Sequence, residues 1–180
     1  MKSFDNYPDT KARCLKHVRA FGSLELAFGI PRELCVIALK IGGHVAAFPE
    51  KFIEAIPVGA DLSMVWPKFA HWLLMDPEHG VHRFPTGDRS RTAIQSVGDL
   101  YARWIAGESP TKEAWRPAWD AAWRARTTAA ETAGWAAGYI VDGSGLQAVH
   151  ATTAAAAATL SADARKQQAE KLIELLKEAR

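Results

Sequence analysis

One segment of this sequence, from Thr127 to Leu160, restricts the possible folds more than any other part of the chain. Glu131 and Asp142 are its only charged residues, and most of its other positions hold Ala, Thr or Gly. Alanine has the highest helix propensity of all residues, so the segment is expected to form helices. Because small side chains let helices approach to about 8 Å, it predicts a closely packed helical hairpin. The alternative is that part of its smooth surface docks a partner.

Proline and glycine positions divide the rest of the chain into further helical segments, and the alternation typical of strands is almost absent. The predicted helices cover residues 8–20, 31–41, 49–56, 67–75, 89–106, 110–139 and 146–180. Apolar residues surround most of the helix at 31–41, which we therefore expect to be central and buried. The Pro and Gly content of residues 76–88 predicts a loop.

These segments predict an all-α fold, with residues 1–180 forming a single domain of packed helical hairpins. Within it, short helices occupy residues 1–75 and the loop covers residues 76–88. Long helices rich in Ala and Trp occupy residues 89–180.

Helical spacing in this C-terminal half predicts which faces are buried. One helix carries an apolar face and an opposite polar face: Ile94, Val97, Leu100, Tyr101, Trp104 and Ile105 against Arg91, Gln95, Asp99 and Arg103. The closing helix carries an apolar stripe of Ala169, Leu172, Ile173 and Leu176. Ser109 and Pro110 predict the start of the helix between them, with Pro117 as a kink or as its true start.

The charge balance argues against two kinds of partner chemistry. The chain has 22 Lys and Arg residues against 20 Asp and Glu, a formal net charge of +2. A mimic of DNA needs strong acidity, and nucleic-acid-binding proteins usually carry a clustered basic excess, so we do not expect nucleic acid as the partner. A DNA- or RNA-binding helical protein stays open as an alternative, since Arg83, Arg89 and Arg91 form a small basic group.

The sequence also predicts a cytoplasmic protein without membrane contact. No stretch approaches the roughly 18 consecutive apolar residues of a membrane span, and the first residues lack the apolar core of a signal peptide. Cys14 and Cys35 have apolar neighbours and no partner cysteines at metal-binding spacing. They predict buried thiols in a reducing compartment.

Tryptophans recur every four residues along one predicted helix, with arginines interleaved between and after them. Such spacing places the rings in a column on one helix face. The column is interpreted either as core packing or as a partner-binding surface, because Trp and Arg are favoured interface anchors. The candidate partner-binding residues are Trp115, Trp119, Trp123, Arg116, Arg124 and Arg126.

Residues 71–88 contain a group that could in principle bind a metal ion or transfer protons: His71, Asp76, Glu78, His79, His82 and Asp88. Gly80 lies between the two closest histidines, and Pro77 and Pro85 interrupt the segment, so the spacing fixes no shared face. No metalloprotease, nucleophile-elbow or phosphate-loop motif occurs. We therefore predict no metal, no cofactor, no catalytic residue and no enzymatic activity. A metal-dependent enzyme using His71, His79 and His82 is kept as an alternative.

Two blocks in the C-terminal half resemble a known family. The first runs from Arg91-Thr92-Ala93-Ile94 through Ala102-Arg103-Trp104-Ile105-Ala106-Gly107-Glu108, and Ala- and Trp-rich segments follow it. The second is the closing segment at 165–176. Residues 67–180 resemble the Imm-5-like immunity protein family of bacteria and their phages, and a Cys-led first helix at 14–22 fits it loosely.

The resemblance implies a non-catalytic helical protein that neutralises a bacterial effector by binding it. The effector would be a toxin, a nuclease or a multi-subunit defence complex, and a phage protein of this kind would act in counter-defence, as anti-CRISPR proteins do. Steric occlusion or locking of the target is the expected mechanism. The oligomeric state is left open, and a homodimer is compatible with the sequence.

Overall fold

A computed structural model describes residues 30, 34, 38, 41, 45, 47–83, 87–125 and 164–179. Its helices are α1 (Phe48–Ala55), α2 (Val65–Met75), α3 (Asp88–Ile105), α4 (Lys112–Ala125) and α5 (Ala164–Glu178). A short 3₁₀ helix, Val81–Arg83, lies between α2 and α3. The described residues contain no strand. The prediction of an all-α fold is confirmed. The Ala-rich hairpin at 127–160 lies outside the described residues.

Contacts divide the chain into two compact units. Unit 1 comprises Met1–Trp66 and Arg165–Arg180, and unit 2 comprises Pro67–Ala164. The single domain over residues 1–180 stays a prediction, and each unit is described by itself.

The core of unit 1 contains part of the predicted helix at 31–41. Leu34, Ala38 and Ile41 have helical backbone and no exposed surface. Their spacing of four and three residues places them on one helix face, so the expected burial is confirmed at these positions. In α1, Phe48 and Phe52 are fully buried, with ring centroids 5.9 Å apart.

Helix α5 contributes a buried arc to unit 1 that differs from the predicted stripe. Ala169, Leu172 and Leu176 are buried as expected, but Ile173 is only half-buried. Leu175 and Gln168 are buried in its place. Successive residues turn by about 100°, and the arc is centred near Leu172, so Ile173 falls at its margin.

Helix α2 begins at Val65, two residues before the predicted start at Pro67. The first four N–H groups of a helix have no intrahelical acceptor, so a proline in the first turn removes no hydrogen bond. The helix is mostly buried, and a stripe of half-buried residues runs along one side: Lys68, His71, Trp72 and Met75.

Helix α3 has the predicted polar face, since Arg91, Gln95, Asp99 and Arg103 are all exposed. Its predicted apolar face is buried from Ile94 to Tyr101. Beyond Tyr101 the burial weakens, and the last two members, Trp104 and Ile105, are half-buried. The apolar face therefore reaches the surface near the carboxyl end of α3.

A glycine cap ends α3. Gly107 has φ of 96°, and its N–H donates to the carbonyl of Trp104 at 3.0 Å. The next N–H, of Glu108, donates to the carbonyl of Arg103 at 2.9 Å. This pair of bonds is the Schellman motif, which satisfies carbonyls that the helix itself cannot pair.

The start of α4 corrects the predicted start at Ser109 and Pro110 and excludes Pro117 as the start, whereas a kink at Pro117 stays a prediction. The helix begins at Lys112, so Ser109 and Pro110 precede it, and Pro117 lies inside it. The residue before the helix, Thr111, accepts a 3.4 Å hydrogen bond from the N–H of Ala114 through its hydroxyl. Threonine is a favourable cap at this position, which explains the later start. The predicted continuation to residue 139 lies outside the described residues.

Replacing Gly107 with alanine should destabilise the protein by about 1 kcal/mol, because the left-handed conformation is costly for a residue with a Cβ. No atom lies within 4 Å of the position that this Cβ would take, so a steric clash adds nothing. Urea denaturation measures the loss. Gly107→Asn is the matched control and should lose less, since asparagine tolerates this conformation better. Equal stability of wild type and Gly107→Ala would contradict the assignment.

Candidate functional site

Three aromatic side chains from α3 and α4 form one cluster in unit 2. The rings of Tyr101 and Trp104 stack, with centroids 6.2 Å apart and planes at 5°. Trp115 meets both edge-on, at 5.0 Å from Tyr101 and 6.3 Å from Trp104. Such edge-to-face pairs add about 0.5–1.5 kcal/mol beyond the apolar area that they bury. The cluster of Tyr101, Trp104 and Trp115 therefore ties α4 to α3.

The cluster changes from core to surface across its three members. Tyr101 is 3% exposed, whereas Trp104 and Trp115 are half-buried. Trp104 follows Tyr101 by three residues and lies on the same side of α3, but nearer the end of the helix. Two large rings therefore share their surface between packing and solvent.

Exposed charges lie close in sequence to the half-buried rings. Arg116 follows Trp115 directly and is exposed. Arg103 pairs with Glu108, with its Nε 2.8 Å from Oε2, and both side chains are more than half exposed. A surface ion pair of this kind contributes about 0–1 kcal/mol, so it does not fix the helix end by itself.

Glu113, near the start of α4, is also exposed. Hydrogen bonds from the Glu113 backbone N–H and from the Thr111 hydroxyl lower the pKa of its carboxyl group.

The structure describes part of the predicted partner-binding set. Trp115 is half-buried and Arg116 is exposed, and their part in binding stays a prediction. Trp119, Trp123 and Arg124 lie in α4, where only their backbone is described, and Arg126 lies outside the described residues.

The sequence interpretation missed that Tyr101 and Trp104 join Trp115. Both had been assigned to the apolar face of α3. The signal that could have found them is the short connection between the helices. Only six residues separate Ile105 from Lys112, so the start of α4 stays near the end of α3.

A group of polar residues around Asp76 lies at the end of α2. The Asp76 carboxylate accepts hydrogen bonds from the backbone N–H groups of His79 and Glu78, at 2.8 and 3.0 Å. The ring Nδ1 of His79 lies 3.0 Å from the same oxygen, Oδ1. The N–H of Gly80 donates to the Asp76 carbonyl at 2.8 Å. Part of the segment predicted as a loop is therefore a capped turn, followed by the 3₁₀ helix Val81–Arg83.

Ionisation of Asp76 is coupled to this turn. Partial burial opposes the charge, but the hydrogen bonds from His79 and Glu78 outweigh it, and the pKa of Asp76 lies below its ordinary value of 3.8. The turn also requires Gly80. A Cβ there would lie 2.5 Å from the backbone nitrogen and oxygen of Asp76, which is a steric clash.

The three histidines of this segment have separate surroundings. The ring of His79 stacks on Trp72, with centroids 5.5 Å apart. His82 places Nδ1 3.1 Å from the carbonyl oxygen of Leu74, a residue in the last turn of α2. Burial lowers the pKa of His71, and the charge of Asp99 partly opposes this shift.

The contacts of His79 and His82 lie around the end of α2 and its turn. In the ranges 47–83 and 87–125, and in the other described positions, no three His, Cys, Asp or Glu side chains are arranged to hold a metal ion. The candidate site considered for binding is the cluster of Tyr101, Trp104 and Trp115, followed in sequence by the exposed Arg116.

The comparisons with known proteins add no family assignment. No family model, curated protein or solved structure matches this chain. None of the helices that the structure describes is long and apolar enough to cross a membrane.

Changing Asp76 to alanine should destabilise the protein by about 1 kcal/mol, the usual value of such a cap. Asp76→Asn keeps a carbonyl oxygen for the two backbone donors and should lose less. Chemical denaturation at neutral pH compares the two, and an Asp76→Ala variant as stable as the wild type would show that the hydrogen bonds of Asp76 contribute nothing.

The Asp76 contribution should also depend on pH. A folded-state pKa below 3.8 means that the stabilisation is present above that pH and disappears as the pH falls through the folded value. The stability difference between wild type and Asp76→Asn should therefore shrink below pH 3.8. A difference that stays constant there would contradict the lowered pKa.

The lowered pKa of His71 predicts a second pH effect of defined sign. The unfolded chain binds a proton at His71 more readily than the folded chain, so stability falls as the pH drops below 6.5. His71→Gln should reduce the loss measured between about pH 7.5 and 5.5. Asp99→Asn should increase it, because the opposing charge is removed. The same pH dependence in all three proteins would refute this account.

Proposed function

We propose that this chain is a non-catalytic inhibitor that binds another protein through the aromatic cluster and Arg116. The observation that carries the proposal is the cluster's two half-buried tryptophans, Trp104 and Trp115, with an exposed arginine directly after Trp115 in sequence. Tryptophan and arginine are the residues most enriched among those that dominate interface binding energy.

The geometry of the aromatic cluster supports the binding of a partner protein without catalysis. The cluster holds its rings in place through mutual contacts, so a partner would meet a rigid anchor and little side-chain entropy would be lost. An exposed arginine such as Arg116 can form paired hydrogen bonds with a carboxylate of the partner. A stable complex would bury about 800 Å² of this chain around such anchors.

The class of partner comes from the resemblance to immunity proteins. The first of the two blocks that carry it, from Arg91 to Glu108, spans most of α3 and its glycine cap, and it includes Tyr101 and Trp104. We infer that the partner is a bacterial effector, either a toxin, a nuclease or a defence complex, met in the cytoplasm. Inhibition would be steric, because a net charge of +2 does not suit a nucleic-acid mimic.

A charge reversal at Arg116 tests the proposal. Affinity capture from cells identifies candidate effectors, and each purified candidate is then assayed for activity with rising amounts of the protein. Arg116→Glu should weaken inhibition at least about 30-fold, the effect of losing a strong interface anchor. Because Arg116 is exposed, the variant should keep the wild-type circular dichroism spectrum.

Lys51→Glu is the matched control, since Lys51 is an exposed cation on α1 in unit 1. It should inhibit like the wild type. Equal weakening by both variants would indicate a general charge effect, and full effector activity at saturating protein would refute inhibition of that target. Binding to DNA or RNA that falls steeply with salt would favour the nucleic-acid alternative instead.

A further inference from the structure

The side chain of Met75 lies close to the backbone of Gly98 within unit 2. Met75 is the last residue of α2 and is half-buried, whereas Gly98 is buried in the middle of α3. A Cβ placed on Gly98 would lie 2.6 Å from both Cγ and Sδ of Met75, and 3.6 Å from Cε. The thioether therefore occupies the space that any other residue at position 98 would need for its side chain.

We propose that Met75 is a redox-sensitive latch between the end of α2 and α3, opened by oxidation to the sulfoxide. Hydrogen peroxide is an oxidant of the required class. It transfers one oxygen atom to Sδ, the sulfur is oxidised by two electrons, and the remaining peroxide oxygen leaves as water. Met75 is half-buried, so peroxide can approach part of its side chain from solvent. This inference does not depend on the proposed function.

Sterics and polarity both oppose retention of the sulfoxide against Gly98. The thioether already lies too close to the Gly98 backbone for a Cβ, so an added oxygen has no space on that side. The sulfoxide is strongly polar, and a buried polar group without a hydrogen bond costs free energy. The oxidised side chain should therefore move towards solvent and leave Gly98 uncovered.

The position of Met75 allows a local displacement to spread. It directly precedes Asp76, whose carboxylate caps the following turn. That turn leads into the 3₁₀ helix, which packs against α3. Opening the latch should therefore loosen the carboxyl end of α2, the turn and the middle of α3 together, while α1 in unit 1 is unaffected.

Met64 provides a matched control within the same chain. It is also half-buried but lies in the turn before α2, in unit 1. The experiment treats full-length wild type, Met75→Leu and Met64→Leu with hydrogen peroxide, and then with dithiothreitol to return oxidised thiols to their reduced state. Peptide mass spectrometry quantifies the sulfoxide at each methionine, and thermal unfolding gives Tm.

Oxidation should lower the Tm of wild type and Met64→Leu by about 3–6 °C, and methionine sulfoxide reductases should restore it. Met75→Leu should show little change. An equal fall in Met75→Leu would overturn the proposal, as would complete oxidation of Met75 without a change in Tm. If peroxide oxidises Met64 but leaves Met75 untouched, the latch is not accessible and the proposal also fails.

If Met75→Leu does not fold, hydrogen exchange of the oxidised wild type tests the proposal instead. Hydrogen exchange of oxidised wild type should become faster in peptides covering the end of α2 and the middle of α3. Peptides from α1 should exchange as before. Uniformly faster exchange in all these peptides would show general damage and contradict a local latch.

Discussion

The reversal of the chain at Gly107 is the constraint on which the candidate site depends. Gly107 adopts the left-handed backbone conformation and ends α3, and the two hydrogen bonds of the Schellman motif close the last turn of the helix. Only a short connection follows before Thr111 caps α4. Trp115 therefore reaches the rings of Tyr101 and Trp104, and without the stop these aromatic residues would lie on separate surfaces.

The fold class and the helix faces could be predicted because they depend on local properties of the sequence. The polar and apolar sides of α3 follow from spacing alone, and Arg91 and Ile94 lie on the sides expected of them. Helix starts were predicted less well. The start of α4, which Thr111 caps, and the start of α2, where Pro67 lies in the first turn, each differ from the prediction by two residues. Several residues near a helix boundary can serve as its start.

The turn at Asp76 shows why amino-acid composition predicted the structure of residues 76–88 only in part. Proline and glycine indicated a loop, and both are present for specific reasons. Pro77 has no N–H to satisfy, and Gly80 fits where a Cβ would meet the Asp76 backbone. The decisive interaction is a carboxylate that accepts from two backbone N–H groups, and the residue types alone do not specify that geometry. The contact of Met75 with Gly98 could not be predicted either, because it joins residues far apart in sequence.

Under the proposed function, packing and recognition would use the same tryptophan surface. Removing the ring of Trp115 would take away its contacts with Tyr101 and Trp104 along with any contact to a partner, so a loss of inhibition would not separate stability from binding. Arg116 lies next to it but is exposed. A substitution there changes the charge offered to a partner and leaves the ring contacts in place. If binding depends on this face, the protein should lose affinity at Arg116 without losing stability, and this separation distinguishes a recognition surface from a partly covered core.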